Sequence, residues 1–333
     1  MRVGVAGAGA LGYHHVRLLR DLAGATCVGF YDNNAAVATH VASELGVTAH
    51  PSLDALIDAC DALCVVVPTT AHAAVAQAAI AKGKHLLVEK PLCATLDEAD
   101  ALLSAAKRAG VLVQTGHIER FNRAVRAALP YVDTPRFISS DRLAPFNPRG
   151  TEVAVVLDLM IHDIDLILTL TRRAVSDVQA VGVPVLTRSA DIANARLAFA
   201  DGAVATITAS RVSREKMRKL RVFQQSGYLS LDLASGGGEF YRLRDGIDPE
   251  KIATGPQSLE AFVEFIPLSA PEGEPLKLEL QSFVDAIHGR APVVVSGQDG
   301  RDALAVAHRI MEAIDASLAQ TGAPSRTAGA RSA

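Results

Sequence analysis

A glycine-rich turn near the start of the chain, Gly7-Ala-Gly9-Ala-Leu-Gly12, constrains the fold more than any other feature. It follows an apolar strand pattern at residues 2–6 and opens a helix pattern. In this setting Gly7 can form a tight turn, Gly9 lets the backbone approach a pyrophosphate, and Gly12 allows the helix to pack closely on the strand. The turn therefore predicts a dinucleotide-binding unit whose first helix receives phosphates at its N-terminus.

The pattern of the chain changes at about residue 120. Before it, short apolar runs alternate with alanine-rich helix patterns that end at Gly46, Gly83 and Gly110, as in parallel βαβ units. After it, longer runs show period-two hydrophobicity, and Asp201-Gly202 is typical of a two-residue hairpin. We expect an α/β fold with three parts: an N-terminal Rossmann domain with a doubly wound parallel sheet at 1–120, an α+β domain with a large, mostly antiparallel open sheet at 121–320, and a disordered tail at 321–333.

Composition excludes several classes of protein. A chain of 333 residues exceeds what one core usually organises, and its net charge of −3 gives no reason to expect a nucleic-acid partner. No apolar run reaches the roughly 18 residues of a membrane span, so we expect a cytoplasmic protein without membrane insertion. The four cysteines lack the paired spacing of a zinc site, and we expect reduced thiols and no metal: Cys27, Cys60, Cys64 and Cys93.

Asp32 indicates which dinucleotide is bound. It ends the second predicted strand, and a carboxylate there accepts hydrogen bonds from the adenosine ribose and repels a 2′-phosphate, which favours NAD over NADP. The alternative is a glycine turn and a loop-forming Asp-Asn pair with no ligand. The other candidate cofactor-binding residues lie in the turn or near the carboxyl ends of predicted strands: Ala10, Leu11, Asn33, Pro68, Thr69, His72, Glu89, Lys90 and Gln114.

Two further motifs suggest chemistry at the cofactor. Glu89-Lys90-Pro91 ends a predicted strand, where a lysine can stabilise a developing alkoxide, although the tripeptide is also an ordinary surface sequence. Asp158 and His162 are four residues apart and share one face of a predicted helix, between apolar flanks where polar groups are costly unless paired or used. The alternative for His162 is a satisfied core histidine.

Together these motifs resemble the Gfo/Idh/MocA family of sugar and polyol oxidoreductases, and the resemblance spans nearly the whole chain. It implies that Lys90, His162 and Asp158 act together in catalysis. His162 would take the hydroxyl proton, Asp158 would orient the imidazole, and Lys90 would hold the oxygen. Members of the family differ on whether the lysine or the histidine is the base, so this point stays open.

A narrower resemblance is to the members of that family that act on UDP-N-acetylglucosamine. It rests on residues 115–122, 158–165 and 210–213. It implies NAD-dependent oxidation of the sugar 3-hydroxyl to a 3-keto sugar nucleotide, which an aminotransferase would convert for lipid A synthesis. For any single arginine of the predicted sheet, the alternative to substrate binding is a solvated surface position. The candidate substrate-binding residues are Lys90, Arg120, Asn122, Arg142, Asp158, His162 and Arg211.

Two other functions stay open at this point. The substrate can be another nucleotide sugar or a free polyol such as inositol. A non-catalytic, NAD-sensing regulator is disfavoured because Lys90 and His162 are both present. We also expect a homodimer or homotetramer formed through the C-terminal sheet, because one face of an open sheet is left without cover by its own helices.

Overall fold

The structure is a computed structural model that describes residues 1–147, 153–244, 246–247 and 259–320. The chain forms two compact units. The first comprises Met1–Phe121 and Gly273–Ala305, and the second comprises the other described residues. The tail expected at 321–333 lies outside the described residues. Across the described ranges, no helix combines the length and the hydropathy that crossing a bilayer requires.

A five-stranded parallel sheet organises the first unit, in the order β2-β1-β3-β4-β5. This confirms the predicted doubly wound architecture. Its strands are β1 (Arg2–Ala6), β2 (Thr26–Tyr31), β3 (Ala62–Val65), β4 (His85–Glu89) and β5 (Val113–Gly116). Its helices are α1 (Ala10–Leu19), α2 (Ala35–Leu45), α3 (Leu53–Ala59), α4 (Thr69–Ala81) and α5 (Leu96–Ala109).

Local sequence signals explain where these helices begin and end. Asn34 and Thr95 cap α2 and α5 through side-chain oxygens that accept backbone N–H groups. Gly46 and Gly110 end the same helices in the left-handed conformation, with φ of 65° and 66°, and Gly83 after α4 has a φ of 68°. The three predicted glycine stops are therefore confirmed.

The second unit contains an eight-stranded sheet in the order β13-β12-β11-β10-β6-β9-β8-β7. Among the described strand pairs of this sheet, only β6–β9 is parallel, which confirms the mostly antiparallel prediction. β12 and β13 are strands that the sequence pattern did not predict. The strands are β6 (Phe137–Leu143), β7 (Val175–Val183), β8 (Ile192–Phe199), β9 (Val204–Ser210), β10 (Met217–Gln224), β11 (Gly227–Asp232), β12 (Gly237–Leu243) and β13 (Val263–Pro267).

The hairpin between β8 and β9 differs in length from the prediction. Phe199 N donates to Ala203 O, so three residues form the loop instead of two. Gly202 holds its last position with a φ of 83°. Because only the final position is left-handed, the turn follows the three-residue geometry that a glycine there favours.

Helices cover one face of the eight-stranded sheet. They are α6 (Arg123–Ala128), α7 (Ile161–Thr171) and the second half of α10 (Gly297–Gln320). A Cβ on Gly182 of β7 would lie 2.8 Å from Ile314, which shows how closely α10 packs on this face. Helix α8 (Leu259–Phe262) precedes β13, and α9 (Pro275–Ile287) belongs to the first unit.

Candidate active site

The glycine turn has the geometry of a phosphate-binding loop. Gly7 has a φ of 91°, and a Cβ on it would lie 2.4 Å from Val66 O. A Cβ on Gly12 would lie 2.0 Å from Gly7 O, so helix and strand pack as predicted. At Gly9 a Cβ would meet no described atom within 4 Å, and Gly9 caps α1 without a side-chain hydrogen bond from any described residue. Open space in front of uncapped helix amides suits a pyrophosphate.

Asp32 joins this turn to the end of β2. Its Oδ2 accepts a hydrogen bond from Ala8 N at 2.7 Å, and its Oδ1 accepts one from Asn34 N at 2.8 Å. The carboxylate is only partly buried, and Asn33 beside it is exposed. Asp32 therefore shapes the glycine turn while keeping a surface on which a ribose can bind.

The residues at the end of β3 divide into exposed and buried ones. Pro68 is exposed and Thr69 is half-buried, but His72 is 1% exposed. Its Nδ1 lies 2.9 Å from Pro91 O and its Nε2 lies 2.9 Å from Val67 O. Burial lowers the pKa of His72, so the neutral ring donates to one carbonyl at a time. His72 links two strand-end loops, and its contact with a cofactor stays a prediction.

Gln114 points into the first unit's interior. Its side chain is fully buried and donates from Nε2 to Glu279 O of α9 at 3.2 Å. The structure thus gives it a role in holding α9. Its binding to a cofactor stays a prediction. Ala10 and Leu11 are exposed in the first turn of α1, as a cofactor-binding turn requires.

Lys90 follows the last residue of β4 and is half-buried. The peptide bond between Lys90 and Pro91 is cis. Glu89 is buried, and its Oε1 lies 2.9 Å from Nε2 of His15 on α1. Sequence reasoning missed His15. The available signal was its place one helical turn after Gly12, on the face of α1 that packs on the sheet.

Asp158 and His162 belong to one continuous helical segment of the second unit. A π-helical turn at Val156–Met160 carries Asp158 and leads directly into α7, whose second residue is His162. Both side chains are half-buried. The sequence predicted a helix here, but not the π-turn at its start. π-Turns are rare and often occur at functional sites, because the extra residue per turn changes how side chains project.

Asp163 has a structural partner that the sequence did not reveal. Nε of Arg142 donates to its Oδ2 at 2.6 Å, and Nη2 donates to Oδ1 at 3.1 Å. Ser140 Oγ adds a 2.9 Å hydrogen bond to Oδ1. Arg142 is 3% exposed and Asp163 is 1% exposed. The guanidinium expected to bind substrate is thus engaged within the protein, where it fixes α7 to β6 next to His162.

The other candidate substrate-binding residues also have internal partners. Arg211 is buried; it donates to Val153 O at 2.5 Å, and its Nε lies 3.7 Å from Asp191 Oδ1. Arg120 donates to Val294 O at 3.0 Å within the first unit. Asn122 caps α6 and donates to Leu233 O at 2.8 Å. These contacts occupy polar groups that a substrate would also need. Substrate binding by these three residues stays a prediction.

The chain matches two family models. Residues 1–117 match the oxidoreductase family with an NAD-binding Rossmann fold, and residues 123–230 match the Gfo/Idh/MocA C-terminal domain. In the described residues no cluster of His, Cys, Asp or Glu could hold a metal ion.

Relatives match along almost the full length. The UDP-N-acetylglucosamine 3-dehydrogenase of Acidithiobacillus ferrooxidans is 38% identical over 96% of this chain and 98% of its own. The crystal structure of that enzyme superposes with a TM-score of 0.88, covering 96% of this chain and 98% of that one. The myo-inositol 2-dehydrogenase of Thermotoga maritima is 26% identical over 95% of this chain and 96% of its own. A levoglucosan dehydrogenase in complex with NADH and levoglucosan, at 19% identity, shares the fold with a TM-score of 0.79 over 94% of this chain and 97% of its own.

Proposed function

The chain belongs to the Gfo/Idh/MocA family of NAD-binding oxidoreductases, and from this premise we propose that it oxidises the 3-hydroxyl of UDP-N-acetylglucosamine with NAD. The observation that carries the proposal is the 38% identity with an enzyme of that activity along 96% of the chain. The product is a 3-keto sugar nucleotide. An aminotransferase can convert it to a 3-amino sugar for lipid A, and we expect both steps in the cytoplasm.

The proposed catalytic roles follow the chemistry of three side chains. The glycine turn and Asp32 would hold NAD, whose nicotinamide would supply the acceptor for the hydride from the sugar carbon. His162 takes the hydroxyl proton, Asp158 orients its imidazole, and Lys90 holds the substrate oxygen, although Lys90 can exchange the role of base with His162. All three are half-buried, so they combine restricted motion with access for a ligand.

Deuterium transfer tests both the reaction and its position. Purified protein is mixed with NAD and UDP-N-acetylglucosamine that carries deuterium at C3, and the reduced cofactor is analysed by mass spectrometry and NMR. The proposal expects the label at nicotinamide C4 and a slower rate than with unlabelled sugar. Unlabelled NADH would contradict oxidation at C3, and the absence of NADH with every sugar tested would contradict the dehydrogenase proposal.

A free polyol is the second candidate substrate, since the myo-inositol 2-dehydrogenase match also spans 95% of the chain. The two substrates differ in their need for a nucleotide site. With UDP-N-acetylglucosamine as substrate, UDP alone should inhibit competitively. Turnover of myo-inositol that is unaffected by UDP would favour the polyol.

Alanine variants test the proposed catalytic residues. Lys90→Ala and His162→Ala should each lower kcat by about 10²-fold or more, the usual scale for general acid-base groups. Their matched controls are Lys107→Ala and His40→Ala, which change the same residue types on exposed helical surfaces and should leave kcat unchanged. Full activity in both test variants would contradict the proposed catalytic roles of Lys90 and His162.

We also propose that the protein self-associates through the face of its eight-stranded sheet opposite the described helices. An aromatic ladder crosses five neighbouring strands there, with ring centroids 4.5 to 5.5 Å apart. Exposed aromatic surface in a contiguous row favours burial against another protein. The ladder consists of Phe137, Phe223, Tyr228, Tyr241 and Phe265.

A further inference from the structure

A buried histidine–carboxylate pair lies directly beside Lys90. His15 Nε2 is 2.9 Å from Glu89 Oε1, and the two side chains are 0% and 9% exposed. His15 belongs to α1, the helix that begins at the glycine turn, whereas Glu89 is the last residue of β4. The pair therefore joins the phosphate-binding helix to the strand that carries Lys90.

The neighbouring backbone is built around the same carboxylate. Glu89 Oε2 accepts a hydrogen bond from Lys90 N at 3.3 Å. Gly116 lies opposite Glu89 in the β4–β5 register, and a Cβ there would come within 2.9 Å of Glu89 Cδ. Three elements, α1, β4 and β5, thus meet at Glu89, and the absence of a side chain at Gly116 makes room for it.

The hydrogen-bonding pattern defines the charge states. Burial alone would raise the pKa of Glu89, but the hydrogen bond and charge of His15, together with the charge of Lys90, outweigh burial and lower it. Glu89 is therefore ionised, so His15 donates from Nε2. His15 Nδ1 is buried with no hydrogen-bond partner in the described part of the chain.

We propose that the His15–Glu89 pair is a positioning device that fixes Lys90 relative to helix α1 and keeps a negative charge beside it. The inference rests on the proposed role of Lys90 and adds His15 and Glu89 to the residues on which that role depends. Without the His15 donor, a buried carboxylate loses its main partner and takes up a proton. Lys90 then loses the neighbouring negative charge, and its backbone N–H keeps only a weaker, neutral acceptor.

Kinetics of His15→Phe provide the first test. The variant keeps an aromatic ring but removes the donor. We expect kcat to fall at least about 30-fold, a loss within the range for a misplaced catalytic group, while the NADH dissociation constant from fluorescence titration changes less than about twofold. His15→Gln can still donate to Glu89 and should retain kcat within about fivefold. Equal losses in both variants, or a loss confined to NADH affinity, would overturn the proposal.

The pH profile separates positioning from a purely structural role. In His15→Phe, Glu89 should protonate near neutrality, so kcat should fall as the pH drops from about 8 to 6 and recover at higher pH. The double variant His15→Phe/Glu89→Gln has no carboxyl group at this position and should lack this acidic limb. Glu89→Gln alone preserves the packing should His15→Phe fail to fold, and it should lower kcat with no new limb. A limb that persists in the double variant, or wild-type kcat in Glu89→Gln, would contradict the inference.

Chemical labelling tests the pair independently of any substrate. Lysines are methylated with formaldehyde and a hydride reagent, and Lys90 is compared with the exposed Lys107 by peptide mass spectrometry. In His15→Phe the Lys90 rate relative to Lys107 should rise at least about threefold, because the amine has lost the nearby anion. An unchanged ratio would refute the pair's effect on Lys90 even in a protein that turns over no tested sugar. Failure of the proposed function and failure of this inference are therefore distinguishable.

Discussion

At the scale of single residues, Asp32 combines a structural and a selective role. Its carboxylate accepts hydrogen bonds from Ala8 N and Asn34 N and stays partly open to solvent. Asp32→Asn keeps an oxygen acceptor but removes the charge that would repel a 2′-phosphate. We expect the ratio of kcat/KM for NADP to that for NAD to rise about tenfold or more, since like-charge contacts cost several kcal/mol.

Steady-state rates with both cofactors measure this ratio. Asp97→Asn, which removes an exposed carboxylate at the start of α5, serves as the control and should leave the ratio unchanged. An unchanged ratio in Asp32→Asn would show that Asp32 does not select the cofactor.

The cysteines give a second prediction at this scale. Cys60, Cys64 and Cys93 are fully buried, and burial raises the pKa of Cys93 to about 12. Only the thiolate reacts readily. We expect a disulfide reagent at neutral pH to modify at most one thiol rapidly, the half-buried Cys27, and all four after denaturation. Rapid modification of two or more thiols in the native protein would contradict their burial, and fewer than four reactive thiols after denaturation would contradict the reduced state.

Residue types and spacing predicted candidate positions, but not which atoms their side chains contact. Gly7, Gly9 and Gly12 were predictable because their function depends on local backbone geometry. The engagement of Arg142 with Asp163 was not, since the two residues are 21 positions apart and meet only after β6 and α7 pack together. His15 and Glu89, 74 positions apart, were hidden for the same reason.

At the scale of elements, the segment of Asp158 and His162 is held at both ends. Arg211 binds Val153 O before the π-turn, and Arg142 binds Asp163 after it. Sequence periodicity predicted the helix because its apolar residues repeat at helical spacing. It did not predict the π-turn, which depends on how the segment packs against the sheet.

Asp163 gives the prediction at this scale. Asp163→Leu leaves the Arg142 guanidinium buried without its bidentate partner, which should lower the free energy of unfolding by about 3–5 kcal/mol. The double variant Arg142→Met/Asp163→Leu replaces both charges with apolar groups and should recover most of that loss. Urea denaturation followed by circular dichroism measures both. A double variant no more stable than Asp163→Leu would contradict the explanation that an unpaired buried guanidinium causes the loss.

At the scale of the whole molecule, the order of residues along the chain differs from their grouping in space. Leu280 and Phe283 of α9 pack in the core with Val3 and Val5 of β1, although they lie 275 to 280 positions apart in the sequence. The amphipathic pattern of α9 predicts a helix with one buried face. The pattern does not indicate which sheet that face covers, so the packing of α9 with β1 became apparent only in the three-dimensional structure.

The sheet face opposite the described helices gives the last prediction, because its composition suits a second copy of the same chain. Phe137, Phe223 and Phe265 are 36–39% exposed, a high value for rings stacked across a sheet. Paired charges flank the ladder, with Arg221 3.2 Å from Asp141, so the face presents both signs and needs no oppositely charged partner. A twofold axis would place the aromatic rows of two copies against each other.

Tyr228→Glu should therefore disrupt the assembly. Tyr228 stacks on Phe223 at 4.5 Å and on Tyr241 at 5.2 Å in the middle of the row, so a carboxylate there would be buried without a partner. That cost of several kcal/mol corresponds to at least about a 10³-fold weaker association. Light scattering after size exclusion should give a multiple of 35.0 kDa for the wild type and a single chain mass for the variant at micromolar concentration. Leu129→Glu changes a more exposed apolar residue outside the ladder and should keep the wild-type mass. A monomeric wild type, or an intact oligomer in Tyr228→Glu, would exclude the ladder as the interface.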